Sequence, residues 1–183
     1  LFYAAYFCYA RYLNPITHQQ GDVFDVIQWL KKQKEMLERY AGRMICVGFR
    51  RWKAANIKPM LSLFSNRVIF VKNARAAALL NPAGDDCLVH WGRDAPAGLT
   101  DLCALNGVRL LRMEDGFVRS VGLGSDLIRP QSLVLDASGI YFDPSRESDL
   151  EKILNNTVFS SELIARAKQV RVFIVENGIT KYN

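Results

Sequence analysis

The sequence predicts an α/β fold: a mainly parallel sheet with flanking helices and a β-hairpin, preceded by a helical tail. Three observations predict it. From Ile45 onward, short β-branched runs alternate with stretches of helical periodicity, the pattern that builds a parallel sheet with helices on its faces. Breakers separate those runs, with Asn81, Pro82 and Gly84 before one strand and Asn106 and Gly107 before another. The first forty residues carry no strand pattern, so residues 1–40 read as a helical tail and linker and residues 41–183 as the α/β domain.

In chain order, "LFYAAYFCYARYL" is apolar but is interrupted by Arg11 after ten residues, well short of the ~20 needed to span a bilayer. No basic leader or small-residue cleavage site follows, which argues against a signal peptide. "NPITHQQG" reads as a polar turn, and Asp22 to Tyr40 as an amphipathic helix. Val23, Val26, Ile27, Leu30, Met36 and Leu37 fall on its apolar face; Gly21 and Asp22 open it and Gly42 closes it. The tail is thus two helical segments around a turn, with no sheet of its own. Ile45–Phe49, Arg67–Val71, Cys87–Trp91 and Val108–Met113 read as strands, and Trp52–Phe64 and Pro96–Leu105 as the helices between them. "SLVLDASGIYFD" alternates on either side of Asp-Ala-Ser-Gly and reads as a β-hairpin. Ser148–Leu154 and Ser160–Glu176 read as closing helices, the second capped by Ser160 or Ser161 and ended by Asn177 and Gly178.

Half of the 183 residues are hydrophobic, enough for a sizeable core. Cys8, Cys46, Cys87 and Cys103 have neither the spacing of a zinc site nor that of a disulfide framework, which fits a reducing cytoplasm and predicts no metal. The chain opens without methionine and closes on "ITKYN", so a segment of a longer polypeptide is expected. Its net charge of +6 is uneven. No Asp or Glu occurs from Arg39 to Gly84, where nine Lys and Arg residues fall. Such a block is either a solvated face or a surface that meets phosphate, nucleotide or anionic lipid, with Arg50, Arg51, Lys53 and Lys58 as the candidate contacts. Nucleic acid is the weaker partner, because no aromatic stripe is interleaved with the cations.

The stretch "RMEDGFVRSVGLGSD" leaves a strand at its carboxyl end, where open α/β sheets bind ligands. Gly116, Gly122 and Gly124 allow close backbone approach, and Arg119 offers a fork of donors for a carboxylate or phosphate. The spacing matches neither a dinucleotide fingerprint nor a phosphate-binding Walker loop. Glu114 and Asp115 adjoin and point in different directions; one of them serves as general acid or base or holds a sugar hydroxyl, or else Glu114 simply pairs with Arg112 or Arg119. "VHWGR" ends the preceding strand. There Trp91 and Gly92 offer a stacking surface or plug the sheet edge, and His90 reads as a core histidine. Asp136 reads as the residue that orders its turn.

These stretches carry a resemblance. "GFRRWKAANIKPML", "VHWG", "RMEDGFVRSVGLGSDLIRPQSLVLDASGIYFDPSRESDLEKILN" and "ITKYN" resemble the capsule polysaccharide biosynthesis and export proteins of the KpsC type, and "YARYLNPITHQQGDVFDVIQWLKKQ" is similar to the joint between their two glycosyltransferase modules. The resemblance implies a bacterial, cytoplasmic, peripheral membrane enzyme that transfers Kdo, an acidic eight-carbon sugar, from CMP-Kdo. The implied acceptor is a lipid-linked glycan of the phosphatidylglycerol type, the product a β-Kdo linker, and the setting the capsule biosynthesis and export machinery. It further implies a Rossmann-like, amino-terminal lobe of a two-lobed GT-B-like module, with no cofactor beyond the donor substrate. Glu114 falls on the family's E-D-G-F motif and takes the catalytic role. Asp115, Gly116, Arg119, Ser120, Gly122, Gly124, Ser125 and Asp126, with Trp91 and Gly92, are implied as substrate contacts. The family's later Q-T-x-G-D, V-K-x-H-P and Q-x-G-F-E-A-L motifs have no counterpart before Asn183, so the chain alone is expected to be inactive. The competing expectation is a non-catalytic module that holds an anionic glycolipid, a membrane surface or nucleic acid through its basic block.

Overall fold

A computed structural model describes residues 1–61 and 64–183, which divide into two compact units, Leu1–Ala41 and Gly42–Asn183. In the first unit, a six-residue π-helical turn at Ala4–Tyr9 precedes two short strands, β1 (Tyr12–Leu13) and β2 (Gln20–Gly21), which pair antiparallel. The tail therefore holds a small hairpin that the sequence reading lacked. Its cause is local: the Asn14 side chain accepts the N–H groups of Ile16 and Thr17, folding "NPITHQQG" back so that Asn14 N–H reaches Gln19 O. Helix α1 follows at Val23–Arg39. Asp22 caps it, and Asp25 returns the bond in a reciprocal box, so the predicted start holds to the residue.

The second unit is a five-stranded sheet in the order β4-β3-β5-β6-β7, where β3 is Met44–Val47, β4 Val68–Val71, β5 Cys87–Trp91, β6 Arg109–Asp115 and β7 Leu133–Asp136. All neighbours are parallel except β6 and β7. Four helices complete the unit up to Asn156: α2 (Arg51–Leu61), α3 (Ala74–Ala78), α4 (Leu99–Asn106) and α5 (Asp149–Asn156); α6 (Ser161–Glu176) comes last. The last predicted turn of α2 falls partly on residues 62 and 63, outside the described residues. Ile45, Val47 and Leu88 pack on one face of the sheet with Ala74, Ala77, Leu99, Cys103 and Val108. Each large apolar side chain so buried contributes about 1.5–3 kcal/mol. Met44, Cys46, Val89, Leu111 and Met113 are buried on the other face.

The predicted hairpin at residues 132–143 does not form. Its first half, β7, pairs instead with β6, Arg112 facing Asp136 and Asp115 facing Leu133. Asp136 explains the difference. Its carboxylate accepts the N–H groups of Ser138, Gly139 and Asp149, which turns the chain toward α5 rather than back along β7. At the amino ends of β3 and β5, Arg43 and the nearly buried Asp86 form a 2.6 Å ion pair that ties the edge opposite the candidate site.

Topology fixes where a ligand can sit. The chain runs from β3 outward to β4, then returns to place β5 on the other side of β3, so the order reverses between β3 and β5. In open α/β sheets the crevice beyond the carboxyl ends at such a reversal is the binding position. Both strands leave it through left-handed glycines, Gly48 at φ 79° and Gly92 at φ 77°, a conformation costly for any other residue.

Candidate active site at the carboxyl ends of the strands

Strand β6 runs two residues beyond its predicted end, so Glu114 and Asp115 lie in the ladder opposite Val134 and Leu133. Strand alternation sends them to opposite faces, as their adjacency requires. Glu114 is partly buried, and its Oε1 accepts the N–H of Asp115 at 3.0 Å. Burial and the neighbouring charge of Asp115 push its carboxyl above the usual range; that backbone bond and the ammonium groups of Lys53 and Lys181 pull the other way without prevailing.

The ion pair expected for Glu114 belongs to its neighbour. Asp115 Oδ2 stands 2.8 Å from Nε of Arg119, whose side chain is only 2% exposed. Nη1 of Arg119 donates to Ser120 Oγ at 2.6 Å, and Ser120 Oγ donates onward to Gly122 O. Ser120 is therefore occupied in holding the loop. Gly124 lets the guanidinium lie flat against the backbone, since a Cβ there would come within 2.8 Å of Arg119 Nη2. Gly116 is pressed against Ser132, with its N–H donating to Ser132 O, and Gly122 takes φ 84° while its N–H reaches Asn183 O.

A second chain segment completes the loop. Tyr182 bridges Ser120 in parallel, and Lys181 O accepts the N–H groups of Arg119 and Ser120. Lys181 Nζ donates to Tyr141 OH at 2.8 Å, and Tyr141 OH donates to Asp115 O. From the opposite wall, Lys53 of α2 sets its ammonium 3.2 Å from the Trp91 ring centroid. Burial draws the Lys53 pKa below its ordinary value, with Asp115 and Glu114 opposing the shift. Trp52, Lys53, Asp115, Arg119, Leu123, Gly124, Ser125 and Tyr182 line a cleft of about 360 Å³.

The cleft thus gathers Asp115, Arg119, Gly124 and Ser125, with Trp91 joined to it through Lys53, while Glu114 lies outside its lining, within the electrostatic reach of Lys53 and Lys181. Asp126 is exposed at the end of the 3-10 turn Gly124–Asp126, and Gly92 shapes the end of β5. The four cations expected to act as one surface divide. Arg50 and Arg51 lie at the start of α2, Lys53 enters the cleft, and Lys58 is in the last turn. Lys181, Tyr182 and Tyr141 were not among the expected site residues, because nothing local in the stretches that hold them announces their partners Ser120 and Asp115. His90 is fully buried, its Nδ1 3.4 Å from Trp91 O, and burial lowers its pKa, so it sits in the core as expected.

Chemically, this region combines a carboxyl held toward its protonated form, a nearly solvent-free guanidinium and an ammonium stacked on an indole. Such a set can exchange a proton at Glu114 while cations hold an anionic substrate.

Comparison with known proteins adds three findings. The family described as capsule polysaccharide biosynthesis protein matches residues 86–183, which include β5, β6 and the whole Glu114–Asp126 loop. The capsule polysaccharide modification protein LipA of Neisseria meningitidis serogroup A is 40% identical over all 183 residues, which amount to 26% of its own length. Two structures from Thermosulfurimonas dismutans KpsC are also similar. The beta Kdo 2,4 transferase has 31% identity and a TM-score of 0.57 over 77% of this chain and 42% of its own. For the beta Kdo 2,7 transferase the values are 30% and 0.52 over 70% and 40%.

Proposed function

The chain belongs to the capsule polysaccharide biosynthesis protein family, and from that premise we propose that it forms the acceptor-side lobe of a glycosyltransferase that moves Kdo from CMP-Kdo to a lipid-linked acceptor. The observation that carries this reading is the position and state of Glu114. It is a carboxyl raised above its usual range by burial, at the carboxyl end of a central strand, within the electrostatic reach of Lys53 and Lys181. Likeness to two Kdo transferases supports the choice of sugar.

In this reading the acceptor hydroxyl bonds to the anomeric carbon of Kdo and CMP departs with the electrons of the broken bond. Glu114 takes the hydroxyl proton, a role for which a carboxyl with a raised pKa is better matched to neutral pH than an ordinary one. Lys53 and Arg119 hold the sugar carboxylate, Trp91 gives Lys53 its position, and Asp115 keeps Arg119 in place. The protein works on the cytoplasmic membrane face, beside the capsule export machinery, with its acid-free block toward anionic lipid; each Lys or Arg near such a surface contributes ~1 kcal/mol.

Since the chain spans about a quarter of the length of LipA, the nucleotide part of the donor is assigned to the remainder. A protein extended to the relatives' full length, given CMP-Kdo and a Kdo-accepting glycolipid, should release CMP in step with product. The 183-residue chain alone should release none above background. CMP release by that chain alone, or failure of the extended protein to use any Kdo acceptor, would refute the proposal.

A further inference from the structure

Beside the cleft lined by Lys53, Asp115 and Arg119 lies a second one that the transfer step does not use. It has a volume of about 410 Å³ and is lined by Gly48, Phe49, Arg50, Arg51, Ala54, Phe70, Val71 and Lys72. Three of those residues are cations contributed by two chain segments, the exit from β3 into α2 and the exit from β4. None of the three has a carboxylate within ion-pair distance among the described residues. Sequence explains why, because Asp and Glu are missing throughout Arg39–Gly84. Three like charges around one concavity repel one another, and an anion bound among them relieves that repulsion.

Geometry says what kind of anion fits. Phe49 stands edge-on to both Phe70, at 5.6 Å, and Trp91, at 6.1 Å, so it forms a partition with the cationic cleft on one side and the Lys53–Trp91 pair on the other. Arg50 and Arg51 on one side are followed directly by Trp52 and Lys53 on the other. A single ligand bridging the partition would present an anionic group to Arg50, Arg51 and Lys72 and its other end to Lys53, Asp115 and Arg119. Two guanidinium forks and an ammonium match the oxygens of a phosphate. Phe49, Ala54, Phe70 and Val71 supply an apolar wall beside it.

We propose that this cleft is a phosphate subsite, which takes the phosphate group of the acceptor and so sets the distance between that phosphate and the hydroxyl that receives the sugar. The inference rests on the transfer reading for the identity of the ligand, but the phosphate site is testable without it.

The test is calorimetric titration of the 183-residue chain at low salt with two probes, inorganic phosphate and glycerol 1-phosphate, the latter standing for a lipid headgroup. The parent should bind at least one of them. Replacement of Arg50, Arg51 and Lys72 by Gln should weaken binding at least tenfold. A charge-matched replacement of Lys31, Lys32 and Lys34 by Gln should stay within twofold. All three cleft cations are exposed, so folding should survive, and R51E alone provides a second route if the melting temperature moves. Tighter binding of glycerol 1-phosphate identifies a headgroup as the source, and equal binding identifies the phosphate group alone; either result supports the subsite. No binding of either probe by the parent, an undiminished signal in the cleft variant, or an equal loss in both variants would overturn it. Transfer is measured separately on the extended protein. Phosphate binding without Kdo transfer would therefore sink the transfer reading alone, and Kdo transfer without phosphate binding would sink the subsite alone.

Discussion

Replacing Asp115 by Asn removes the charge that faces Arg119 while keeping the size of the side chain. Arg119 is 2% exposed and Asp115 14%, so the pair is shielded from water and its loss is not softened by hydration. Breaking a buried pair by removing one partner costs about 3–5 kcal/mol, because the survivor is left as an uncompensated buried charge. The bond from Arg119 Nη1 to Ser120 Oγ survives, which places the expectation at the lower end, near 3 kcal/mol. In a domain of this size each kcal/mol shifts the midpoint by roughly 3 °C, so D115N should melt about 9 °C below the parent. Circular dichroism at 222 nm during heating measures it. Because the cost belongs to the orphaned charge, replacing both partners by apolar residues, Asp115→Leu with Arg119→Met, should restore part of the loss. A D115N midpoint within about 2 °C of the parent would show that the guanidinium is solvated. A double variant no more stable than D115N would show that the loop depends on shape rather than on charge.

Glu114 should behave in the opposite way. Its raised pKa means that folding favours the protonated form, so its contribution is fully present below the ordinary glutamate range and is lost as pH rises through the higher folded value. Glu114→Gln should therefore raise the melting temperature at pH 7, with the difference fading as pH falls toward 4; an equal difference at both pH values would contradict the burial. Gly124→Ala should push the Arg119 guanidinium aside and cost about 1–3 kcal/mol, seen as a lower midpoint in urea, whereas an unchanged midpoint would mean the loop yields freely. Of the four free thiols only Cys8 is exposed, and burial pushes the Cys87 and Cys103 thiols up to about 11. Ellman's reagent should thus label one thiol rapidly in the native chain and four after denaturation; fast labelling of two or more in the native chain would refute the packing of β3, β5 and α4.

The sheet was legible because its strands are short β-branched runs buried on both faces, and Cys87–Trp91 was bounded to the residue. Cap chemistry served well at Asp22 and decided for Ser160 over Ser161, while Ser148, read as the first residue of its helix, is the cap of α5. Pairing was harder to read. The alternation in "SLVLDASGIYFD" identifies a strand but not its partner, and the Asp136 carboxylate redirected the turn so that β7 found β6. Helix α3, Ala74–Ala78, escaped notice because five residues are too few to show a period. At the site, Glu114, Asp115 and Arg119 were visible as a charged motif after a strand. The contribution of Lys181 and Tyr182 depends on a contact between residues sixty positions apart, which no local pattern encodes. Likewise, the acid-free block was plain in the composition, yet only the fold separates Lys53, stacked on Trp91, from Arg50 and Arg51 across Phe49.

The most direct test of the proposed chemistry is CMP release from CMP-Kdo by the extended protein carrying Glu114→Gln. Loss of a positioned acid or base lowers turnover by roughly a hundredfold or more. The expected result is a fall of that size with product and CMP reduced together and a melting temperature at pH 7 no lower than the parent's. Parental turnover in this variant would contradict the catalytic role of Glu114 and, with it, the placement of the reaction at the carboxyl end of β6.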